Sequence, residues 1–299
     1  MNIEEIRESQ SIGILQNVLL GFAWVTDEEL SLIQRFPEYL SADVTERTNI
    51  EKRGLFLITG LDRNNSTFIG MHAFIPNAQM DSFDWIYTSA LPDLITEETC
   101  LENECVCTNG EDALFMPLIS QTNVMGPWRN SSHRRCTYHL LTQQWAIKIA
   151  GKVHGQQAKK RVETIRLWVN SLIESVRLYH DFLDSVAKLR EYLEDTRDYL
   201  TSHVFKSLHT LIFSSMIPVC DKWARCCRVG KLDLDQKTTS HTERCNRGIK
   251  EQVHSISVMG MESSAKAMME HSSGLNNKRQ RYVKEFNSYF LTFLYQLTT

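Results

Sequence analysis

Asp43 is the first residue whose surroundings point to chemistry. It sits in Tyr39-Leu40-Ser41-Ala42-Asp43-Val44, a short run of strand character with small and apolar neighbours. An ionised carboxylate in such a place is costly unless it pairs with a cation or binds a metal. Arg47 is the nearest pairing partner along the chain. A second set combines sulfur and nitrogen: Cys136 and His139 have ligand-like spacing, and Cys105 with Cys107 would complete a four-ligand zinc site if the two segments adjoin. Residues three apart on a strand point to opposite faces, however, and cysteines packed in a sheet core explain the same residues without a metal. A third set is basic. His133-Arg134-Arg135, Lys159-Lys160-Arg161 and Lys278-Arg279-Gln280-Arg281 are short clusters that can meet phosphates or lie as solvated helix faces.

These residues need elements to position them. The opening forty residues read as helical, with Asp27 as N-cap and Pro37 as a break. Residues 39–44 form a strand candidate, and the nearly continuous apolar run 55–60 reads as a strand buried on both faces. A polar turn at 62–66 joins it to a third strand, 67–75, as an antiparallel hairpin. Met80 to Ile95 has helical spacing; 104–108 is a strand ending at the turn pair Asn109-Gly110; 112–119 is a helix; 134–140 a strand; 141–150 a helix. An antiparallel opening followed by alternation implies a mixed five-stranded sheet with helices packed on it, an α/β fold.

From about residue 156 to 227 the pattern changes. Ile165, Trp168, Leu172, Val176, Tyr179, Leu183, Val186, Leu189 and Leu193 step by three or four, an all-helical stretch. Residues 231–239 are polar and loop-like, and 240–253 and 278–297 are helical again, separated by breaks at Gly260 and Gly274. Trp85, Trp145 and Trp168 belong to apolar stripes, and Trp128 follows a Gly-Pro pair in a loop. His72 reads as a hydrogen-bonded core residue, and the Met259–Met269 segment as a packing helix.

The 299 residues carry 33 Lys plus Arg against 36 Asp plus Glu, a formal net charge of -3. That balance argues against binding through uniform positive charge, while leaving room for a local basic patch. Thirteen Gly and six Pro exclude collagen-like or linker-dominated chains. The acidic start and the short apolar stretch 12–25 predict neither a secretory signal nor a membrane span. Eight scattered cysteines in so long a chain are expected to be reduced thiols, in the nucleus or cytoplasm.

Five blocks then carry a resemblance. Asp43-Val44-Thr45-Glu46-Arg47-Thr48-Asn49 leads into an apolar run ending Gly60-Leu61-Asp62. Phe74 to Trp85, Thr108-Asn109-Gly110-Glu111-Asp112-Ala113-Leu114, His133-Arg134-Arg135-Cys136-Thr137-Tyr138-His139-Leu140 and Thr238 to Lys250 follow. Together, in this order, they resemble the Mutator-like (MULE) transposase domain of the ribonuclease-H-like DDE superfamily. The resemblance implies a ribonuclease-H-like sheet with helices on both faces, interrupted by an all-helical insertion before the last acidic residue. It divides the chain into a helical lead-in at 1–38, the first part of the core at 39–155, the insertion at 156–235, and the final core helix with C-terminal helices at 236–299.

The same resemblance implies metal-dependent cleavage and strand transfer of DNA, with Mg²⁺ or Mn²⁺ held by Asp43, Asn109 and Glu243. Two divalent ions can activate the attacking oxygen and stabilise the phosphate, and oxygen ligands suit them. Transposon ends and target DNA are the implied partners, with a possible homo-oligomer and no membrane. Two departures stand out. Asn109 occupies the place of the family's second Asp, removing one charge from the site, and Glu46 stands where the family commonly has Tyr. The loss of charge predicts an impaired centre, with Glu111 and Asp112 as the nearest substitute carboxylates. The alternative is a non-cleaving, DNA-associated or regulatory protein derived from a transposase.

Overall fold

Continuous apolar runs need cover on both faces, and the strands of this protein receive it. In the computed structural model the described residues are 21–122, 126–232, 234, 236, 238–252 and 256–277. The strands are β1 (Phe22–Trp24), β2 (Tyr39–Thr45), β3 (Gly54–Leu61), β4 (Thr67–Ile75), β5 (Cys105–Thr108) and β6 (Ser132–Arg135). The longer helices are α1 (Asp27–Arg35), α2 (Asp112–Thr122), α3 (Gln156–Glu174), α4 (Tyr179–Asp195), α5 (Ser202–His209), α6 (Ser240–Gln252) and α7 (Met261–Asn277).

The sheet is mixed and has six strands in the order β1-β4-β3-β2-β5-β6. β4 pairs antiparallel with β1 and β3, and β5 pairs parallel with β6. The expected α/β class stands, with one strand more than the sequence predicts. The addition is β1, inside a stretch expected to be helical. Its three residues pair with Phe74, Ala73 and His72 of β4, and so short a strand leaves no alternation to read. Helix starts only afterwards, at a capping box one residue earlier than expected. The Thr26 Oγ1 accepts from the Glu29 N–H at 3.3 Å, and the Glu29 carboxylate accepts from the Thr26 N–H at 2.9 Å.

The chain divides into two units. One holds residues up to 37, 42–100 and from 241 onward; the other holds 38–41 and 101–240. In the first unit, β3 is buried along its whole length. Leu55 and Leu57 join Trp24, Phe74, Ile249, Ile256, Ala265 and Met268 in one core, so α6 and α7 cover that face. Phe56, on the opposite face, meets Phe83 and Tyr87 with ring centroids 6.1 and 6.3 Å away. His72 lies in the core, stacked on Trp24 at 4.9 Å, with its Nδ1 3.7 Å from the Glu29 carboxylate. α7 runs through Gly274, where a break is expected. A mid-helix glycine costs about 1 kcal/mol against alanine, too little to end a helix whose buried Met268 is packed in the core.

In the second unit the stretch 156–227 is largely helical, as its spacing predicts. Ile165, Val169, Leu172, Phe182, Leu189, Leu193, Leu208 and Trp223 share one buried cluster. Trp223 is its anchor, donating its indole N–H to the Met216 carbonyl at 3.0 Å. Trp128 is fully buried, which makes it a packing residue rather than an exposed contact. No helix among the described residues is long and apolar enough to cross a membrane.

Candidate functional site

Asp43 lies near the end of β2 and is buried, with 7% of its surface exposed. Its Oδ2 accepts a hydrogen bond from the Asn246 Nδ2 at 3.0 Å, from a residue 203 positions away. Asn246 belongs to α6, and the sequence of α6 explains how it arrives there. Thr242, Asn246 and Ile249 recur at helical spacing and all are buried. Thr242 shares a 2.7 Å hydrogen bond with Thr59 of β3, and the His241 Nδ1 shares one of 2.8 Å with Thr67 of β4. Ile249 enters the core. The helix is thereby tied to three strands of its own unit.

Glu243 sits in the first turn of α6, half-buried and one turn before Asn246. Residues three apart share a helix face, so Glu243 follows the face that meets Asp43. An acidic side chain at a helix start also complements the helix dipole. Lys250, one further turn along, has its amine held below the usual range by burial and by Arg47, while Asp43 and Glu46 pull the other way. Asp43 therefore has Asn246 as a hydrogen-bond donor and Lys250 within electrostatic reach. The donor set suits a hard divalent cation: the carboxylates of Asp43 and Glu243, and the amide oxygen of Asn246, which is buried and meets no hydrogen-bond donor among the described residues. Asn246 is the residue that sequence reasoning missed. An asparagine in a polar helix has no signature of its own, and only its place three residues after Glu243 points to it.

Asn109 lies in the other unit, at the turn after β5. It is half-buried, and its Oδ1 accepts the Glu111 N–H at 2.9 Å, closing the turn locally. Glu111 itself is exposed. Gly110 takes a φ of +83°, and a Cβ there would meet the Arg135 Nε at 2.6 Å, so glycine is required on both counts. The Arg135 guanidinium donates to the Gly110 carbonyl at 2.6 Å and to the Ser215 carbonyl at 3.5 Å, joining the turn to the helical stretch that follows residue 156.

His133-Arg134-Arg135 is not a solvent-facing basic patch. All three residues are buried in or beside β6, at 4%, 2% and 7% exposure. His133 stacks on Phe115 at 4.9 Å and shares a 2.8 Å hydrogen bond with Thr108. Burial, with the Lys222 and Arg135 charges, depresses its pKa to about 3, so it is neutral. Lys159 and Lys160 are exposed on α3, while Arg161 stacks over Tyr199 at 3.8 Å. The cluster 278–281 falls outside the described residues.

The Cys/His set is organised differently from the zinc expectation. β6 ends at Arg135, so Cys136 and His139 lie in the following turn and helix start, where they can meet. Burial raises the Cys136 thiol, but hydrogen bonds with His139 and Thr239 outweigh it and hold the thiol below its usual range. Cys105 and Cys107 are buried on β5, and burial pushes Cys107 well up. Among the described residues, no group of three or more His, Cys, Asp or Glu side chains is arranged to hold a metal ion. In the helical stretch 156–227, the Cys227 sulfur lies 3.5 Å from that of Cys220 and 3.6 Å from that of Cys226.

The chain is thus of mixed α/β class, with a buried strand-end aspartate held by a distant helix. Residues 39–143 match the family model of the MULE transposase domain, so this segment is similar to that domain. The match covers Asp43, Asn109, Cys136 and His139, and ends before the helix that carries Glu243 and Asn246. No curated protein matches the chain.

Proposed function

We propose that the chain is the core of a MULE-type transposase of ribonuclease-H-like architecture, acting on DNA in the nucleus and impaired in cleavage by Asn109. The observation that carries this reading is the hydrogen bond from Asn246 to Asp43. It ties the helix of Glu243 to the strand end of Asp43, as a carboxylate centre spread over the chain requires. Asp43 and Glu243 would hold the Mg²⁺ or Mn²⁺, and Asn109 would stand in for the third ligand. When bound, such ions activate the attacking hydroxyl and stabilise charge on the phosphate. The protein's own share is to orient the Asp43 carboxylate: Asn246 donates to it, and Lys250 lies within electrostatic reach.

Asn109 favours a second reading, a DNA-associated protein that no longer cuts. Its amide offers no charge, and its oxygen already closes its own turn. Both readings are tested on a terminal-repeat duplex with Mg²⁺ or Mn²⁺. Nicking by the natural chain that disappears in Asp43→Ala supports the enzyme. Salt-sensitive DNA binding without nicking, unchanged in Asp43→Ala, supports the binder; neither activity removes both.

A further inference from the structure

We infer that Asn246 is a working part of the acidic centre, its amide nitrogen fixing the Asp43 carboxylate while its amide oxygen serves as a neutral ligand for the divalent cation. The inference deepens the proposed function and rests on it. Two separate observations carry it. The Nδ2 donates to the Asp43 Oδ2 at 3.0 Å. The Oδ1 of the same amide is buried, on a residue 5% exposed, and finds no hydrogen-bond partner among the described residues.

The orientation of the amide follows from the chemistry. Turning it over would set its oxygen against the carboxylate oxygen of Asp43, so the donor must face Asp43 and the acceptor must face away. A buried acceptor without a donor is destabilising, and a cation at that oxygen would offset the loss. The amide also has little freedom to escape, because Thr242–Thr59 and His241–Thr67 anchor its helix one turn earlier. An amide suits the position where a carboxylate does not. An aspartate there would face the Asp43 carboxylate at close range, and without a cation one of the two would have to take up a proton. Glu243, Glu46, Arg47 and Lys250 are the other charged groups of this neighbourhood.

The test is Mn²⁺ binding by calorimetry, with thermal unfolding measured in chelator and in Mn²⁺, on the full chain and in an Asn109→Asp background. Asn246→Ala is expected to weaken Mn²⁺ binding at least tenfold. Asn246→Asp is expected to lower the melting temperature in chelator and to gain more from Mn²⁺ than the unsubstituted chain does. The two variants are read separately, so a poorly folded Asn246→Ala leaves Asn246→Asp to decide. Mn²⁺ affinity within twofold of the unsubstituted chain in Asn246→Ala, while Asp43→Ala abolishes binding, overturns the inference alone. So does an Asn246→Asp chain that gains no more from Mn²⁺ than the unsubstituted one. No Mn²⁺ binding in either background overturns the proposed function, and the inference with it.

Discussion

Two regions of this protein use an asparagine beside a position where a carboxylate is at stake, and they use it in opposite ways. At the turn after β5, Asn109 spends its oxygen on the Glu111 N–H two residues on, a bond that any local turn of this type makes. Over β2, Asn246 makes its bond to Asp43 across 203 positions and leaves its oxygen buried without a donor among the described residues. The first amide is satisfied by its own loop and asks nothing of the rest of the fold. The second holds a charge that the fold has buried, and it stays only because Thr59, Thr67 and the core around Ile249 hold its helix in place. Local satisfaction leaves a residue free to change; long-range ties make it depend on the fold.

The largest expected effect sharpens that contrast. Asn109→Asp keeps an oxygen for the Glu111 N–H, so melting temperature should hardly move, while Mg²⁺-dependent nicking of terminal-repeat DNA should rise a hundredfold or more. A gel assay beside a thermal scan reads both, and an unchanged nicking rate would show that the charge at this turn is not what limits the centre. Gly110→Ala breaks the turn itself. A side chain at a φ of +83° and against Arg135 should destabilise the protein by about 2–4 kcal/mol, measured by urea unfolding.

The third prediction concerns pH. His133 is neutral when folded, with a pKa near 3, whereas the unfolded chain protonates near the ordinary value of about 6.5. Below that value the unfolded state binds the extra proton, so stability falls as pH drops from about 6.5 toward 3, by up to about 1.4 kcal/mol per unit. Comparing urea midpoints at pH 7 and pH 5, His133→Asn should lose less stability on acidification than the natural chain does. Equal losses would place the acid sensitivity elsewhere. The smallest effect tests one tie of α6: Thr242→Val removes the hydrogen bond to Thr59 and should cost about 1–2 kcal/mol. Should it also weaken Mn²⁺ binding, the helix anchor and the centre act together.

Much of the frame was legible in the sequence because burial on two faces writes itself as unbroken apolar runs. Residues 55–60 and 67–75 read as a hairpin and form one, and the three-four spacing from Ile165 to Leu193 reads as one helical stretch and folds as two helices with a break at 175–178. β1 was not legible, since three residues paired only with β4 carry no period. The basic character of His133-Arg134-Arg135 misled for a related reason. Charge predicts exposure on average, but Arg135 is buried against the Gly110 and Ser215 carbonyls, partners that no local pattern announces. The opposite-face objection to Cys136 and His139 assumed a strand that stops one residue too soon.

The chain's order of residues settled the β3–β4 hairpin, the MULE-like blocks from Asp43 to His139 and the cost of burying Asp43, because each depends on neighbours within a few positions. Tertiary structure alone chose Asn246 as the partner of Asp43 and hid the arginines of β6. Those outcomes depend on contacts between distant segments, which exist only after the sheet has set which strand ends and which helix faces meet.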